Sequence, residues 1–211
     1  MVYKVEQIKR DVRVLLDQNR VSDALLLGGD VDTLSIDEII ESRIEDGVRR
    51  VVMLAPSYLL EEGHWFGDEV FRRKDGSGWI LLPDDFMRLI EFRMSDWNRS
   101  VYKAIGEDDP KYKRQNSRYR GVRGTVQKPV CAIVNRPEGK VLEYYSCKND
   151  DVTVERATYV PFPKIDDKEG IDISEHIYPA VTYYIAGLVA NVIGEMERGE
   201  IMFKLGKSLI A

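Results

Sequence analysis

The sequence predicts an α+β protein, a small helical bundle of two N-terminal helices and one C-terminal helix carrying an antiparallel β insertion. Three observations carry this reading. Apolar residues recur at helical spacing from Val5 to Val52 and again from Ile177 to Met196. Between those stretches the pattern changes to strand-like alternation punctuated by DGSG and RPEG turns. The chain has 211 residues, 44% hydrophobic and 32% charged, enough apolar material for a true core. The predicted bundle takes residues 1–62 and 171–211; the β-rich insert takes 63–170 and holds a basic loop at 98–128.

The elements follow in order. Val5, Ile8, Val12, Leu15 and Leu16 form the apolar stripe of a first helix over 2–18, with Lys4, Glu6, Lys9, Arg10 and Arg13 on its wet face. Gly28-Gly29 then reads as a turn, because a phosphate-binding loop needs further glycines and a following Lys-Ser/Thr. Ser35 and Glu38 make a capping-box pattern, with Leu34 and Ile39 placed to staple it. A second helix spans 36–54 and stops at Pro56, followed by a short helical turn around 58–62. EVFRRK-DGSG-WILL reads as a hairpin, with Gly76 supplying the positive φ. Residues 89–95 alternate, with Ile90, Phe92 and Met94 on one face and Glu91, Arg93 and Ser95 on the other. SVYKAI reads as a helical turn and EDDPKYKRQNSRYRGVRG as a long loop. QKPVCAIVN-RPEG-KVLEYYSCK forms a second hairpin, and DVTVERATYV one more strand. Ile177, Val181, Tyr184, Ile185, Leu188, Val192, Ile193 and Met196, with a small-residue stripe at Ala186, Ala190 and Gly194, make a final helix apolar on nearly all sides.

Composition excludes several classes. The net charge of −5 argues against a general nucleic-acid coat. The opening MVYKVEQIKRDVRVLL has no apolar signal core, so a reducing compartment is expected. The two cysteines, Cys131 and Cys147, fall on the second hairpin as small buried hydrophobes. The apolar helix is short for a bilayer span, contains Thr182 and Asn191, and lacks basic flanks. The two histidines, His64 and His176, are not spaced as paired metal ligands. No metal and no cofactor is expected, and no catalytic residue is assigned.

Three features remain as candidate sites. The acidic pair Asp84-Asp85 follows Pro83 and precedes Phe86; adjacent carboxylates on an extended chain diverge, so Pro83, Asp85 and Phe86 read as a structural turn rather than a catalytic pair. Lys111, Lys113, Arg114, Arg118, Arg120 and Arg123 interleave with Tyr112 and Tyr119 and no acid. That loop faces phosphates, an acidic protein partner, or solvent alone. An acidic stretch at Asp166, Asp167, Glu169, Asp172 and Glu175 offers a complement in a neighbouring copy, a head-to-tail arrangement that closes into a ring. Finally, Tyr184, Leu188, Val192, Met202, Phe203 and Leu205 present apolar surface on the last helix and the tail, as expected of a subunit interface.

The stretches LSIDEIIESRIEDGVRRVV, LLPDDFMRLIEFRMSDW and YPAVTYYIAGLVANVIG resemble the head–tail adaptor, or connector ring, proteins of short-tailed bacteriophages, of the tail-tubular type, and the ring proteins of crAss-like phages. The resemblance covers residues 35–97 and 173–196 and is sharpest at Leu82, Pro83, Asp85 and Phe86 with Leu89 and Trp97. It implies a structural virion protein, a dodecameric ring at the portal–tail junction, made in the bacterial host cytoplasm. The implied partners are the portal protein, the next tail or ring proteins, and double-stranded DNA passing through the lumen without sequence specificity. It implies no enzyme activity, no cofactor and no membrane. The 98–128 segment departs from the family pattern, so the resemblance gives it no role. The competing reading is a small DNA-binding or regulatory protein using residues 110–124. A third, a hydrolase or nuclease using Asp84, Asp85 or His64, requires a divalent ion.

Overall fold

The computed structural model describes residues 1–16, 34–60, 63–117, 119, 121–145, 147–148, 151–166 and 170–211. Helices and sheets are both present, as expected of an α+β chain, and the chain divides into two compact units. One comprises Met1–Glu61 with Pro163–Ala211, the other Glu62–Phe162.

In the first unit a short strand, β1 (Val2–Tyr3), pairs antiparallel with β10 (Ile171–Asp172). Helix α1 then spans Val5–Leu15 and buries Ile8, Val12 and the following Leu16. Its polar side reaches α2 (Ile36–Leu54) through Lys9–Glu41 at 2.6 Å and Arg13–Asp37 at 2.7 Å. The capping box forms in full: Glu38 N–H donates to Ser35 Oγ at 3.3 Å, and Ser35 N–H donates to Glu38 Oε2 at 2.7 Å. Two backbone donors that the helix itself cannot satisfy are thereby paired. Leu34 stays largely exposed, so the cap stands without the expected staple. A single 3-10 turn, Ser57–Leu59, follows Pro56. The predicted continuation of α1 to residue 18 and the Gly28-Gly29 turn lie outside the described residues.

The predicted final helix stops short of Met196, and the tail forms a helix of its own. Helix α4 (Tyr178–Val192) ends where Gly194 takes φ +90, and Glu195 N–H donates back to Ala190 O at 2.8 Å. This left-handed cap favours glycine because a Cβ there meets the following carbonyl. Gly194 therefore terminates the helix instead of extending a small-residue stripe, and Met196 opens α5 (Met196–Ser208). The close crossing belongs to other glycines. A Cβ on Gly187 of α4 would lie 2.8 Å from Phe203 and 3.1 Å from the Gly199 carbonyl of α5. On its other side α4 meets α2, where a Cβ on Gly47 would lie 2.5 Å from Ile185 Cγ1. Packed from two sides, α4 buries every residue from Ala180 to Ala190 except Tyr183.

The second unit is a pair of sheets around one core. The antiparallel sheet has order β2-β9-β5: β2 (His64–Trp65), β9 (Val154–Pro161) and β5 (Phe86–Met94). The five-stranded sheet has order β3-β4-β8-β7-β6: β3 (Val70–Arg72), β4 (Gly78–Leu81), β8 (Gly139–Tyr144), β7 (Cys131–Arg136) and β6 (Ile105–Gly106). Both predicted hairpins form, β3–β4 with Gly76 at φ +78 and β7–β8 closing at Gly139. The shared core includes Phe66, Phe86, Phe92, Trp97, Leu142 and Tyr144.

Four expectations need correction here. The insert is not purely antiparallel, because β6 pairs parallel with β7. SVYKAI is not helical: Val101 bridges Phe92 and Ile105 begins β6. Within β5 the buried residues are Phe86, Leu89, Phe92 and Met94, with Ile90 only half-buried. Register shifts at Phe86/Arg88 and Leu89/Glu91 insert an extra residue in β5, and each resets its two-residue alternation; the shift at Arg93/Met94 puts the extra residue in β9, so Phe92 and Met94 keep theirs. Cys147 lies beyond the end of β8, half-buried, whereas Cys131 is buried on β7.

Candidate functional site

Pro83, Asp84 and Asp85 join β4 to β5. Phe86 N–H donates to Pro83 O at 3.0 Å, closing the turn, and Phe86 is buried. The Asp85 carboxylate reaches beyond the turn. It accepts from the Tyr159 hydroxyl of β9 at 2.8 Å, while its carbonyl accepts from Phe162 N–H at 2.7 Å. Burial, and then the Asp85 carboxylate, push the Tyr159 phenol up to about 12, so it remains a donor. Phe66 and Phe86 pack on the Tyr159 ring. The turn is thus tied to the strand that pairs with β5.

The basic segment is not all loop. Asp109 caps, and Pro110 opens, a short helix α3 (Pro110–Gln115), with Asp109 Oδ1 accepting from Lys111 N–H at 2.8 Å. Lys111, Lys113 and Arg114 are exposed on it. Arg118 and Arg120 lie outside the described residues. Arg123 is partly buried after the helix, and Gly124 N–H donates to Gln115 Oε1 at 2.8 Å, drawing the segment back under α3.

Beneath α3 lies a polar group that the sequence reading missed. Glu143 on β8 is buried, 8% exposed, yet accepts from Tyr145 at 2.6 Å, Tyr112 at 3.2 Å and the Arg136 guanidinium. Burial alone raises a carboxyl; the hydrogen bonds and the Arg136 charge outweigh it and hold Glu143 below the ordinary range. Burial and the Glu143 charge push the Tyr112 and Tyr145 phenols up, so both stay protonated as donors. Arg136 lies over Trp79 at 5.0 Å, and Trp79 stacks on Phe71 at 3.9 Å. The only local signal was an acid at an inward position of an otherwise apolar strand.

A cleft of about 320 Å³ opens beside this network, lined by Arg73, Asp75, Asn116, Arg123, Arg136 and Glu143 among others. A second of about 280 Å³ shares Asp75 and Arg123 with it. Asp75 accepts from Ser77 N–H at 3.0 Å and Ser77 Oγ at 2.6 Å. These bonds, with the nearby Arg123 and Arg73 charges, hold its carboxyl low.

The predicted apolar interface is divided. Tyr184 is buried against Phe203 at 5.3 Å between ring centres, and Leu188 is buried with it on α4. Met202 and Phe203 are half-buried on α5. These four act mainly in packing within the chain. Val192 and Leu205 stay exposed at 48% and 44%, joined by Met196 at 69%, Ile201 at 55% and Leu209 at 49%. Of the acidic stretch, Asp172 pairs with the N-terminal amine at 2.8 Å and Glu175 is exposed. Asp166 bridges Gly170, while Asp167 and Glu169 lie outside the described residues.

His64 on β2 meets the edge of Tyr159 at 5.8 Å. Among the described residues no group of three or more His, Cys, Asp or Glu is placed to hold a metal ion, and no helix is long and apolar enough to cross a membrane. A scan of protein-family models gives no match, and a comparison with curated proteins finds no relative.

Proposed function

We propose that the protein is a structural virion component, an adaptor subunit that assembles into a ring between portal and tail and extends the DNA exit channel. In this reading the two units act as a helical bundle carrying an inserted β module, and the chain performs no turnover. The observation that carries it is the exposed apolar surface of Ile201, Leu205 and Leu209 at the end of α5, with Val192 and Met196 also exposed on either side of the Gly194 break. Ile201, Leu205 and Leu209 are spaced four apart and share one face, a surface that association removes from water. The phage-adaptor resemblance of residues 35–97 and 173–196 names the kind of assembly. Mass photometry and negative-stain microscopy of the purified chain, alone and with its portal, test it. Rings, or portal-bound rings, are the expected result; a strict monomer that never joins a portal overturns the reading.

A second reading rests on Lys111, Lys113 and Arg114, three exposed cations within one six-residue helix. As a DNA-binding or regulatory protein the chain would bind duplex with an affinity that falls steeply with salt. No duplex binding at low salt removes that reading.

A further inference from the structure

Two exposed faces of the helical unit match in spacing and oppose in charge. Over the last turns of α2, residues 49–54, the exposed side chains are Arg49, Arg50, Met53 and Leu54. Over the first turns of α5, residues 196–201, they are Met196, Glu197, Glu200 and Ile201. Each face sets two apolar side chains and two like charges at positions i, i+1, i+4 and i+5, one stripe of a helix. The α2 face is cationic and the α5 face acidic; Lys204 and Lys207 come only in the following turns of α5. The acidic face borders a groove of about 680 Å³ where α4 turns into α5, lined by Met196, Glu197 and Ile201 among others. Arg198 also lines it, held by Glu195 at 3.1 Å and donating to the Leu15 carbonyl at 3.4 Å. On α2, Arg50 pairs with Asp46 at 3.1 Å on an exposed surface, a weak tie that a neighbouring carboxylate can replace.

These faces cannot meet within one chain. Gly47 of α2 lies against Ile185 of α4, and Ser174 Oγ donates to the Leu59 carbonyl at 2.7 Å. Helix α2 therefore runs antiparallel to α4, and its end lies level with the start of α4. The groove lies past the other end of α4, about 20 Å away at 1.5 Å per residue. Ile185 and Gly187, which meet α2 and α5, also point about 160° apart around α4. We infer that the end of α2 in one copy docks into the groove at the start of α5 in the next copy. Met53 and Leu54 cover Met196 and Ile201, and Arg49 and Arg50 face Glu197 and Glu200. A contact between unlike faces at opposite ends of a unit is heterologous and repeats from copy to copy until a ring closes, whereas α5 pairing with itself would stop at a dimer. The inference rests on the ring proposal and gives it a direction.

Sedimentation velocity of the full chain, alone and with its portal, tests it. Arg50→Glu and Glu197→Arg should each raise the concentration for half assembly at least about tenfold, because like charges then face each other. Both substitutions in one chain should restore assembly. Leu54→Glu and Ile201→Glu should each stay monomeric, yet their mixture should form dimers and stop there, since one intact α2 end meets one intact groove. All four positions are exposed, and circular dichroism checks that each variant folds; Met53→Glu or Met196→Glu replaces one that does not. Parent rings that survive both Leu54→Glu and Ile201→Glu overturn the inference and leave the ring proposal standing. So does a charge-reversed pair that assembles no better than its single variants. A parent chain that is monomeric alone and with its portal overturns the ring proposal, and the inference falls with it.

Discussion

The two units of this chain solve the burial of polar groups in opposite ways. In the helical unit the ion pairs Lys9–Glu41 and Arg13–Asp37 are partly exposed, and the packed seams are made by glycines and apolar side chains. In the β unit an ionised Glu143 sits inside, held by three side-chain donors, below a face that also carries Trp79 and Val141. The helical unit leaves its unmet demand as apolar surface along α5. Each unit also leaves buried polar atoms without a hydrogen bond, Arg43 Nε in the helical unit and Trp97 Nε1 and Arg123 Nε in the β unit. The contrast teaches that the helical unit keeps its charges at the rim and its apolar excess on α5, the surface to which the ring proposal assigns a neighbour.

The largest effect should come from breaking the buried network. Glu143→Ala leaves Arg136, Tyr112 and Tyr145 without their shared acceptor and should cost about 3–5 kcal/mol in urea unfolding. The same group sets a pH dependence. Its native carboxyl is held below the ordinary range, so its contribution is fully present above the unfolded-state value and is lost as pH falls through the depressed native one. Acid unfolding followed by Trp fluorescence should show a step that Glu143→Gln abolishes.

Next comes the helical seam. Gly187→Leu drives a side chain into Phe203 and the Gly199 carbonyl, and overpacking of this kind costs about 1–3 kcal/mol, read as a fall in Tm. Smaller again are the two local polar ties. Ser35→Ala removes the cap of α2, and Asp85→Ala the acceptor for Tyr159; each should cost about 1 kcal/mol by chemical denaturation. A larger loss at Asp85 would mean that the turn organises the core beyond one hydrogen bond. The smallest stability change belongs to Leu205→Glu, within about 0.5 kcal/mol as for other surface sites. Under the ring proposal the same substitution should shift the mass distribution to monomer.

What the sequence revealed was mostly local. Ser35 with Glu38, and Pro56, mark the limits of α2 because capping and ring closure act within a few residues. Asp75-Gly76 and Pro137-Glu138-Gly139 mark hairpins for the same reason. The misses have longer range or a competing signal. Asp109-Pro110 is a helix-start pattern, obscured by the run of cations behind it. The break at Gly194 is hidden because apolar residues continue on both sides of it. The bulges of β5 depend on its partner β9, and the Glu143 network joins α3, β7 and β8 across as many as 31 positions. Nothing within a short window of sequence encodes either.

The pairing of β1 with β10 has a consequence for the order in which the protein is made. Val2 and Tyr3 find their strand partners only at Asp172 and Ile171, and the stripes of α1 and α2 find α4 only from Tyr178 onward. On the ribosome every residue of the β unit emerges before α4 does. At about 5–20 residues per second, α1 and α2 spend many seconds with bare apolar faces. The β unit has all its strands in hand during that interval. It is the part that can fold first, and the helical unit is completed last, when the two separated pieces of chain meet.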